Sequence, residues 1–227
     1  MTDGLVLREL DGLPELKAAE AFQRRVWGED DPADNSDLML AIQHEGGLVG
    51  GAFDGTRMVG FIFGFPSRDS AAQHSHRLGV DPDMQGRGLG VRLKLFQKAW
   101  CLQRGIRHVR WTYDPIRRPN AVLNIARLGA TVRTYYRDYY GDMEGINAGV
   151  PSDRLLAEWD LQADAVVPEP VQRVVIPADF AGMQKTDPEA ALAERLRVRS
   201  EIEAAFVDGL QIAGFDTRAN AYLMAAP

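Results

Sequence analysis

Two histidines and a run of glycines stand together in one stretch of the sequence, "HSHRLGVDPDMQGRGLG", residues 74–90. His74 and His76 alternate along a segment that predicts a β-strand, and residues two apart on a strand share a face. Imidazole titrates near neutral pH, with a reference pKa of about 6.5, so the pair suits proton removal from an ammonium group. On the same alternation we expect both histidines to project to the same side as Leu78 and Val80.

The glycine-rich loop that follows the histidines is a candidate anion site. Glycine tolerates positive φ and has no side chain, so the amides of such a loop can converge on one point. An apolar stripe then predicts a helix, whose N-terminus adds a partial positive charge that suits a diphosphate. The G-x-G-x-G spacing after several strands fits neither a Rossmann fingerprint nor a Walker loop. The loop residues are Gln85, Gly86, Arg87, Gly88, Leu89 and Gly90.

Strand and helix patterns surround these residues. A strand "LVLREL" and a helix "PELKAAEAFQRRVW" come first, followed by a short helix "SDLMLAIQH" with Ser36 or Asp37 as its cap. Asp54-Gly55 then predicts the turn of a hairpin. After the glycine loop come a helix, the strand "RHVRWTYD", a short helix and two further strands. This order predicts an α+β fold, an α/β sandwich with a mixed, mostly antiparallel sheet flanked by helices.

A change of composition near "QADAVVPEPVQ" predicts a domain boundary. We expect a main domain over residues 1–162 and a small C-terminal α/β extension over residues 163–227. The extension contains a strand "RVVIP", a helix that Asp187 caps and Pro188 begins, and a hairpin. We expect it to pack on the main sheet or on a second subunit of a homodimer.

The segment "LGVDPDMQGRGLG" resembles the acyl-CoA motif of the GNAT N-acetyltransferase superfamily, including its flanks. The resemblance implies the GNAT-type fold. It also implies that loop 85–90 holds the CoA diphosphate and that backbone groups of Leu78 and Val80 bond the pantetheine arm. In the same reading the Val80 amide polarises the thioester carbonyl. Acetyl-CoA or another acyl-CoA is then the co-substrate.

The string "HSHRLGV" is similar to the His-x-His-x-Leu-x-Val of arylalkylamine N-acetyltransferases in the same superfamily. The resemblance implies that His74 and His76 serve as the general base through water, and we favour His76 as the nearer to the thioester. The alternative is that one of them is a packed strand residue. No third metal ligand stands at a telling spacing, so we expect no metal.

The segment "RPNAVLNIARLGA" resembles the later helix of the family, with departures. Ile125 stands where the family's Tyr often protonates the departing thiolate, which leaves the general acid unassigned. Asn120 is a candidate for contact with the CoA arm or for capping the helix. A cluster of tyrosines offers substitute proton donors or packing residues, namely Tyr135, Tyr136, Tyr139 and Tyr140.

Two charged residues are candidates for holding the acceptor. Asp114 in "WTYDP" is an ammonium anchor or a turn former, and Arg154 in "PSDRLLAEW" is a carboxylate clamp or a structural residue. The wider pattern of motifs resembles a bacterial GNAT branch, some of whose members accompany N-acylamino acid racemases. That resemblance makes an amino acid a candidate acceptor and leaves acetyl and succinyl donors open.

Composition sets further bounds. The net charge of −6 and the pI near 5.3 give no general attraction for nucleic acid. Cys101 is the only cysteine, and no apolar run approaches the roughly 20 residues of a membrane helix. The first residues do not resemble a signal peptide, so we expect a cytoplasmic protein without a membrane partner.

From the motifs and the family resemblance together, we predict an acyl-CoA-dependent N-acyltransferase for a small-molecule primary amine or amino acid. A non-catalytic acyl-CoA-binding module is the alternative.

Overall fold

The predicted strands and helices occur in the predicted order. The computed structural model of the chain describes residues 4–30, 32–141, 150–164 and 169–227. The chain forms two compact units, Met1–Arg110 and Trp111–Pro227. The boundary predicted between residues 162 and 163 lies inside the second unit and stays a prediction.

The first unit is a sheet with helices on both faces. Its strands follow the order β1-β2-β3-β4-β5, and the β4–β5 pair is parallel whereas the others are antiparallel. This arrangement confirms the prediction of a mixed, mostly antiparallel sheet. The elements are β1 (Val6–Glu9), α1 (Gly12–Trp27), α2 (Ser36–His44), β2 (Leu48–Asp54), β3 (Arg57–Pro66), β4 (Ala72–Val80), a 3₁₀ turn (Pro82–Met84), α3 (Leu89–Gln103) and the start of β5 (His108–Tyr113).

The two faces of this sheet pack against different helices. On one face, Phe22 of α1 contacts Phe61 of β3 with a ring separation of 6.5 Å, and both side chains are buried. On the other, a Cβ added at Gly60 would lie 3.0 Å from Leu93 of α3. Full burial of each large apolar side chain stabilises the fold by about 1.5–3 kcal/mol. Gly60 and Phe61 are neighbours on β3 and therefore point to opposite faces of the sheet. One face packs against α1 and the other against α3.

The connection between α1 and α2 begins at Gly28, whose φ of +102° favours glycine, and ends at Asn35. The Asn35 side chain accepts a hydrogen bond of 2.7 Å from the Leu38 amide, which makes Asn35 the N-cap of α2. The prediction of Ser36 or Asp37 as the cap is wrong by one or two residues. Ser36 already lies in the first turn, where its backbone has become helical.

The second unit contains the rest of β5 and a second set of antiparallel strands in the order β7-β6-β9-β10-β8. Asp187 Oδ1 accepts a bond of 3.0 Å from the Ala190 amide and Pro188 begins the long helix, as predicted. The remaining elements are α4 (Arg118–Ala121) with a π-helical continuation (Val122–Arg127), β6 (Thr131–Tyr136), β7 (Arg154–Asp160), β8 (Gln172–Val175), α5 (Phe180–Thr186), α6 (Pro188–Val207), β9 (Gln211–Asp216) and β10 (Ala221–Ala225).

Candidate functional site

The glycine loop joins the end of β4 to the start of α3, and Asp81 fixes its entrance. Asp81 Oδ1 accepts a bond of 3.1 Å from the Asp83 amide, which starts the 3₁₀ turn. Its Oδ2 lies 3.0 Å from Arg57 and 3.2 Å from Arg25. Burial opposes ionisation of Asp81, but the bonds from Arg57 and Asp83 outweigh it and hold the pKa of Asp81 below its ordinary value. The loop therefore leaves the sheet from an anchored point.

Two glycines give the loop its conformation. Gly86 and Gly88 have φ of +73° and +77°, a region that disfavours any residue with a Cβ. An added Cβ at either position would meet no atom within 4 Å, so backbone conformation rather than crowding favours glycine there. Gly88 is the N-cap of α3, whose first amides have no intrahelical acceptor. The start of α3 thus offers N–H donors that have no acceptor within the helix, next to open space at Gly86 and Gly88.

The other residues of the glycine loop lie on either side of Gly86 and Gly88. Gln85 donates a long bond of 3.4 Å from Nε2 to the Val80 carbonyl, and the exposed Arg87 lies 3.8 Å from the Met84 sulfur. Leu89 is buried at the start of α3 and anchors the helix in the core. Through Gln85 the loop contacts the last residue of β4.

Strand β4 contains a bulge at His76. Phe63 pairs with Arg77 and Gly64 pairs with Ser75, so His76 is the extra residue between them. A bulge breaks the alternation of a strand. Even-numbered side chains of β4 before the bulge therefore occupy one face of the sheet, and those after it occupy the other.

The bulge places the histidines and the two downstream residues on opposite faces. A Cβ added at Gly79 would lie 3.0 Å from Trp27 of α1, so Leu78 and Val80, its neighbours along the strand, face α3. His76 instead packs edge-on against Phe63, 5.7 Å away, on the α1 face. The expectation that His74 and His76 share a face with Leu78 and Val80 is wrong, because it assumed an unbroken alternation.

Backbone groups of Leu78 and Val80 are nevertheless directed away from β3. The Asp81 amide donates to the Val59 carbonyl at 3.0 Å, which makes Gly60 and Val80 a non-hydrogen-bonded pair. Leu78 has the same orientation because it lies two residues earlier. The parallel register of β4 with β5 covers Ala72–His74 and His108–Arg110, upstream of these residues. This edge of β4 fits an extended ligand that bonds to main-chain groups.

His76 contacts a carboxylate from the α1–α2 connection. Its Nε2 lies 3.2 Å from Asp34 Oδ1, and Arg77 Nε lies 3.2 Å from Asp34 Oδ2. The His76 side chain is 36% exposed, so part of the ring is accessible to solvent or a small molecule. Nothing in the local sequence indicated Asp34, because it lies 42 residues before His76.

His74 has a different environment. Its ring stacks on Phe65 with a centroid separation of 4.8 Å, and it lies 6.3 Å from the His76 ring. Burial, followed by the charges of His76, Lys94 and Arg110, lowers the pKa of His74 to about 4. His74 is therefore neutral at physiological pH.

A buried polar network lies beneath the bulge, on the α3 face. Lys94 of α3 donates from Nζ to Ser75 Oγ at 2.8 Å and to Gln97 Oε1 at 3.2 Å. Gln97 donates in turn to Gln73 at 2.6 Å. Burial lowers the pKa of Lys94 to about 7. The network ties Ser75 and Gln73, the neighbours of His74, to the helix that follows the glycine loop.

The remaining candidates belong to the second unit. Asp114 accepts two bonds from the buried Arg195, and Arg154 is 9% exposed and lies over the Tyr140 ring at 4.9 Å. The Asn120 amide donates to the Arg117 carbonyl at 2.9 Å, in the turn that begins α4. The sequence left open whether Asp114 and Arg154 hold the acceptor or have structural roles. The contacts of these two residues are compatible with structural roles.

The tyrosines differ in exposure. The Tyr135 hydroxyl donates to Asp153 at 2.6 Å, and its pKa is raised by burial and by that carboxylate. Tyr139 and Tyr140 are about half exposed, at 48% and 52%, and their rings meet at 4.8 Å. Proton donation by one of these tyrosines stays a prediction.

The described ranges of the chain also bear on metal binding and on membrane insertion. No group of three or more His, Cys, Asp or Glu side chains in these ranges is arranged to hold a metal ion. Among the helices of the same ranges, none combines the length and apolarity needed to cross a bilayer.

Comparison with known proteins identifies the class. Residues 15–122 match the sequence model of the Acetyltransferase (GNAT) family, and no curated protein sequence is significantly similar to the chain. The matched residues include all of β4, the glycine loop and α3. This match indicates an acyl-CoA-dependent N-acyltransferase. Residues 15–122 thus form a domain of the acetyltransferase (GNAT) family, which confirms the resemblance seen in "LGVDPDMQGRGLG".

Solved structures share the fold at low sequence identity. The ribosomal-protein-S18-alanine N-acetyltransferase from Escherichia coli has a TM-score of 0.58 and 19% identity, covering 70% of this chain and 96% of its own. Aminoglycoside 6'-acetyltransferase type Ii gives 0.57 and 17%, covering 70% and 99%. An aminoglycoside 6'-N-acetyltransferase in complex with coenzyme A gives 0.55 and 13%, covering 70% and 98%. These likenesses confirm the predicted fold class.

Proposed function

We propose that the protein transfers an acyl group from acyl-CoA to a small-molecule primary amine or amino acid by direct attack in a ternary complex. Acetyl is the first candidate for the acyl group. The proposal rests on the structure of the connection between β4 and α3. There a loop with two left-handed glycines follows a strand edge with outward-directed amides, and the strand also carries His76. This combination supplies an anion cradle, a main-chain binding edge and a base on one continuous segment.

In this proposal loop 85–90 holds the CoA diphosphate, because left-handed glycines and a helix N-terminus concentrate N–H donors there. The amides that follow Gln85 supply these donors, since the Gln85 amide donates to the Pro82 carbonyl at 3.3 Å. Backbone groups of Leu78 and Val80 bond the pantetheine arm. The Val80 amide also donates to the thioester oxygen as negative charge develops on it. Asn120 is a further candidate contact with the arm.

Acyl-CoA supplies an activated acyl group, whose transfer to an ammonium substrate yields an amide, the free CoA thiol and one proton. His76 receives that proton from the acceptor, directly or through water and His74, and so exposes the nitrogen lone pair that attacks the carbonyl carbon. Since the pKa of His74 is about 4, His74 acts here as a neutral hydrogen-bonding partner. A thiol has a reference pKa of about 8.5, so protonation of the leaving group assists only modestly.

The acceptor class rests on the sequence resemblance and on the charged residues of the second unit. Arg154 is the candidate for an acceptor carboxylate, whereas the Asp114 carboxylate has both oxygens engaged with Arg195. An amino acid acceptor, a succinyl donor, a homodimer and a cytoplasmic location stay predictions. A non-catalytic acyl-CoA-binding module is the competing function.

The first experiment identifies the reaction. The full-length protein is incubated with acetyl-CoA or succinyl-CoA and with pooled amines and amino acids, and the products are read by mass spectrometry. We expect an N-acylated product and release of free CoA, and the donor arms distinguish acetyl from succinyl transfer. Tight binding of CoA without any product across the panel would favour the binding module.

The second experiment tests the base. With the acceptor so identified, His76→Ala should lower kcat by about 10²–10⁴-fold, the contribution of general-base catalysis, and leave the Kd for CoA unchanged. The matched control is His108→Ala, which removes an exposed imidazole at the start of β5. A His76→Ala protein as fast as wild type would show that another group takes the proton.

A further inference from the structure

We infer that Asp34 is a positioning residue for His76, fixing the tautomer and orientation of its ring; this rests on the proposed role of His76 as the base. Asp34 Oδ1 lies 3.2 Å from His76 Nε2. A carboxylate offers only acceptors, so the bond requires that Nε2 carries the hydrogen. Nδ1 then holds the lone pair, on the opposite edge of the ring from Asp34.

The backbone of Asp34 is held in place independently of His76. The Gln23 side chain accepts from the Asp34 amide at 3.0 Å and donates to the Asp34 carbonyl at 3.2 Å. Gln23 is 1% exposed within α1, and the next residue, Asn35, caps α2. The backbone of Asp34 is therefore bonded to α1 and directly precedes the N-cap of α2.

The bulge explains why two consecutive side chains of β4 reach one carboxylate. On a regular strand His76 and Arg77 would point to opposite faces. Because His76 is the extra residue, both approach the α1–α2 connection, where Arg77 Nε lies 3.2 Å from Asp34 Oδ2. Arg77 also donates to the Pro32 carbonyl at 2.8 Å and stacks on Trp27 at 4.9 Å.

This arrangement gives Asp34 two effects on the reaction. It restricts rotation of the imidazole, so that Nδ1 keeps one direction relative to β4. It also places a negative charge beside the imidazolium that forms when His76 takes a proton. The Asp34 side chain is only 13% exposed, so water weakens this interaction less than it would on the surface.

An acceptor-independent measurement tests the contact. The full-length protein contains four histidines, so ¹⁵N resonances of the His76 ring can be assigned by comparison with His76→Ala. At a pH where the ring is neutral, wild type should show one form, protonated at Nε2. Asp34→Ala should show ring ¹⁵N shifts averaged between the two tautomers. Identical ring shifts in wild type and Asp34→Ala would overturn the inference.

A kinetic measurement tests its consequence. Asp34→Asn retains an acceptor but removes the charge, and it should lower kcat on the order of 10–100-fold with an unchanged KM for acyl-CoA. Asp34→Glu should restore part of the loss. Asp37→Asn, an exposed carboxylate in the first turn of α2, is the matched control and should match wild type. An unaltered kcat in Asp34→Asn would contradict the inference.

The two proposals fail separately. If wild type acylates no amine while the ring shifts still differ between wild type and Asp34→Ala, the proposed function fails and the contact stands. If wild type is active and Asp34→Asn and Asp34→Ala behave as wild type in both measurements, the function stands and Asp34 has no positioning role.

Discussion

Asp114 and Arg195 form a bidentate pair inside the second unit, with bonds of 2.7 Å and 2.8 Å between residues 81 positions apart in the sequence. Both side chains are buried, and the Arg195 guanidinium lies 5.1 Å from the Phe180 ring. The pair joins the end of β5 to α6. The residues next to Asp114 in the sequence gave no indication that Arg195 is its partner.

Removal of one partner of this pair should destabilise the protein. Arg195→Ala leaves the Asp114 carboxylate buried without its main counter-charge, and we expect a loss of about 3–5 kcal/mol in the free energy of unfolding. Urea denaturation followed by circular dichroism measures it. Arg197→Ala, on the more exposed side of the same helix, is the control, with an expected loss of about 1 kcal/mol or less. Equal losses in the two variants would refute this account.

The glycine loop allows a test that separates backbone strain from ligand binding. Gly88→Ala forces a left-handed conformation on alanine, which costs about 1–2 kcal/mol, and we expect the Kd for CoA to rise about tenfold as the loop relaxes. Gly209→Ala imposes the same strain, since its φ is +79° and its surroundings are open, but it follows α6. Calorimetry with CoA should detect the rise in Kd only for Gly88→Ala. Similar affinities in the two variants would remove the loop from the binding site.

His74 predicts a pH dependence of stability. A histidine in an unfolded chain protonates near pH 6.5, with a reference pKa of about that value, whereas the pKa of His74 in the folded protein is about 4. Between these values the unfolded state binds more protons, so the free energy of unfolding falls as the pH falls from 6.5 toward 4.

His74→Gln should remove this contribution and lose less stability than wild type on acidification. Urea denaturation at about pH 7 and about pH 5 measures the difference. His44→Gln, at the exposed end of α2, controls for the loss of one imidazole. The same loss in His74→Gln as in wild type would mean that His74 does not resist protonation.

The elements of the fold were predictable because they depend on short-range patterns. The Asp54-Gly55 turn, the Asp187 cap with Pro188 and the glycine loop are each specified by neighbouring residues. The same holds for the family motif, which is one continuous segment.

The details of the site depend on contacts that short-range patterns do not contain. The bulge at His76 follows from how β4 pairs with β3, and a one-residue change of register moves side chains to the other face. The Asp34 contact needs α1 and α2 to be in place, and the Arg195 contact needs α6. Each of these was missed because its partner is distant in the sequence.

The extra residue in β4 has a consequence for how this enzyme can diversify. Upstream of His76 the even-numbered side chains of β4 face the α1 layer, whereas downstream of it they face α3. Under the proposed function the acceptor meets side chains of the upstream half and the donor meets main-chain groups of the downstream half. We therefore expect substitutions upstream to alter acceptor preference during evolution without altering the donor.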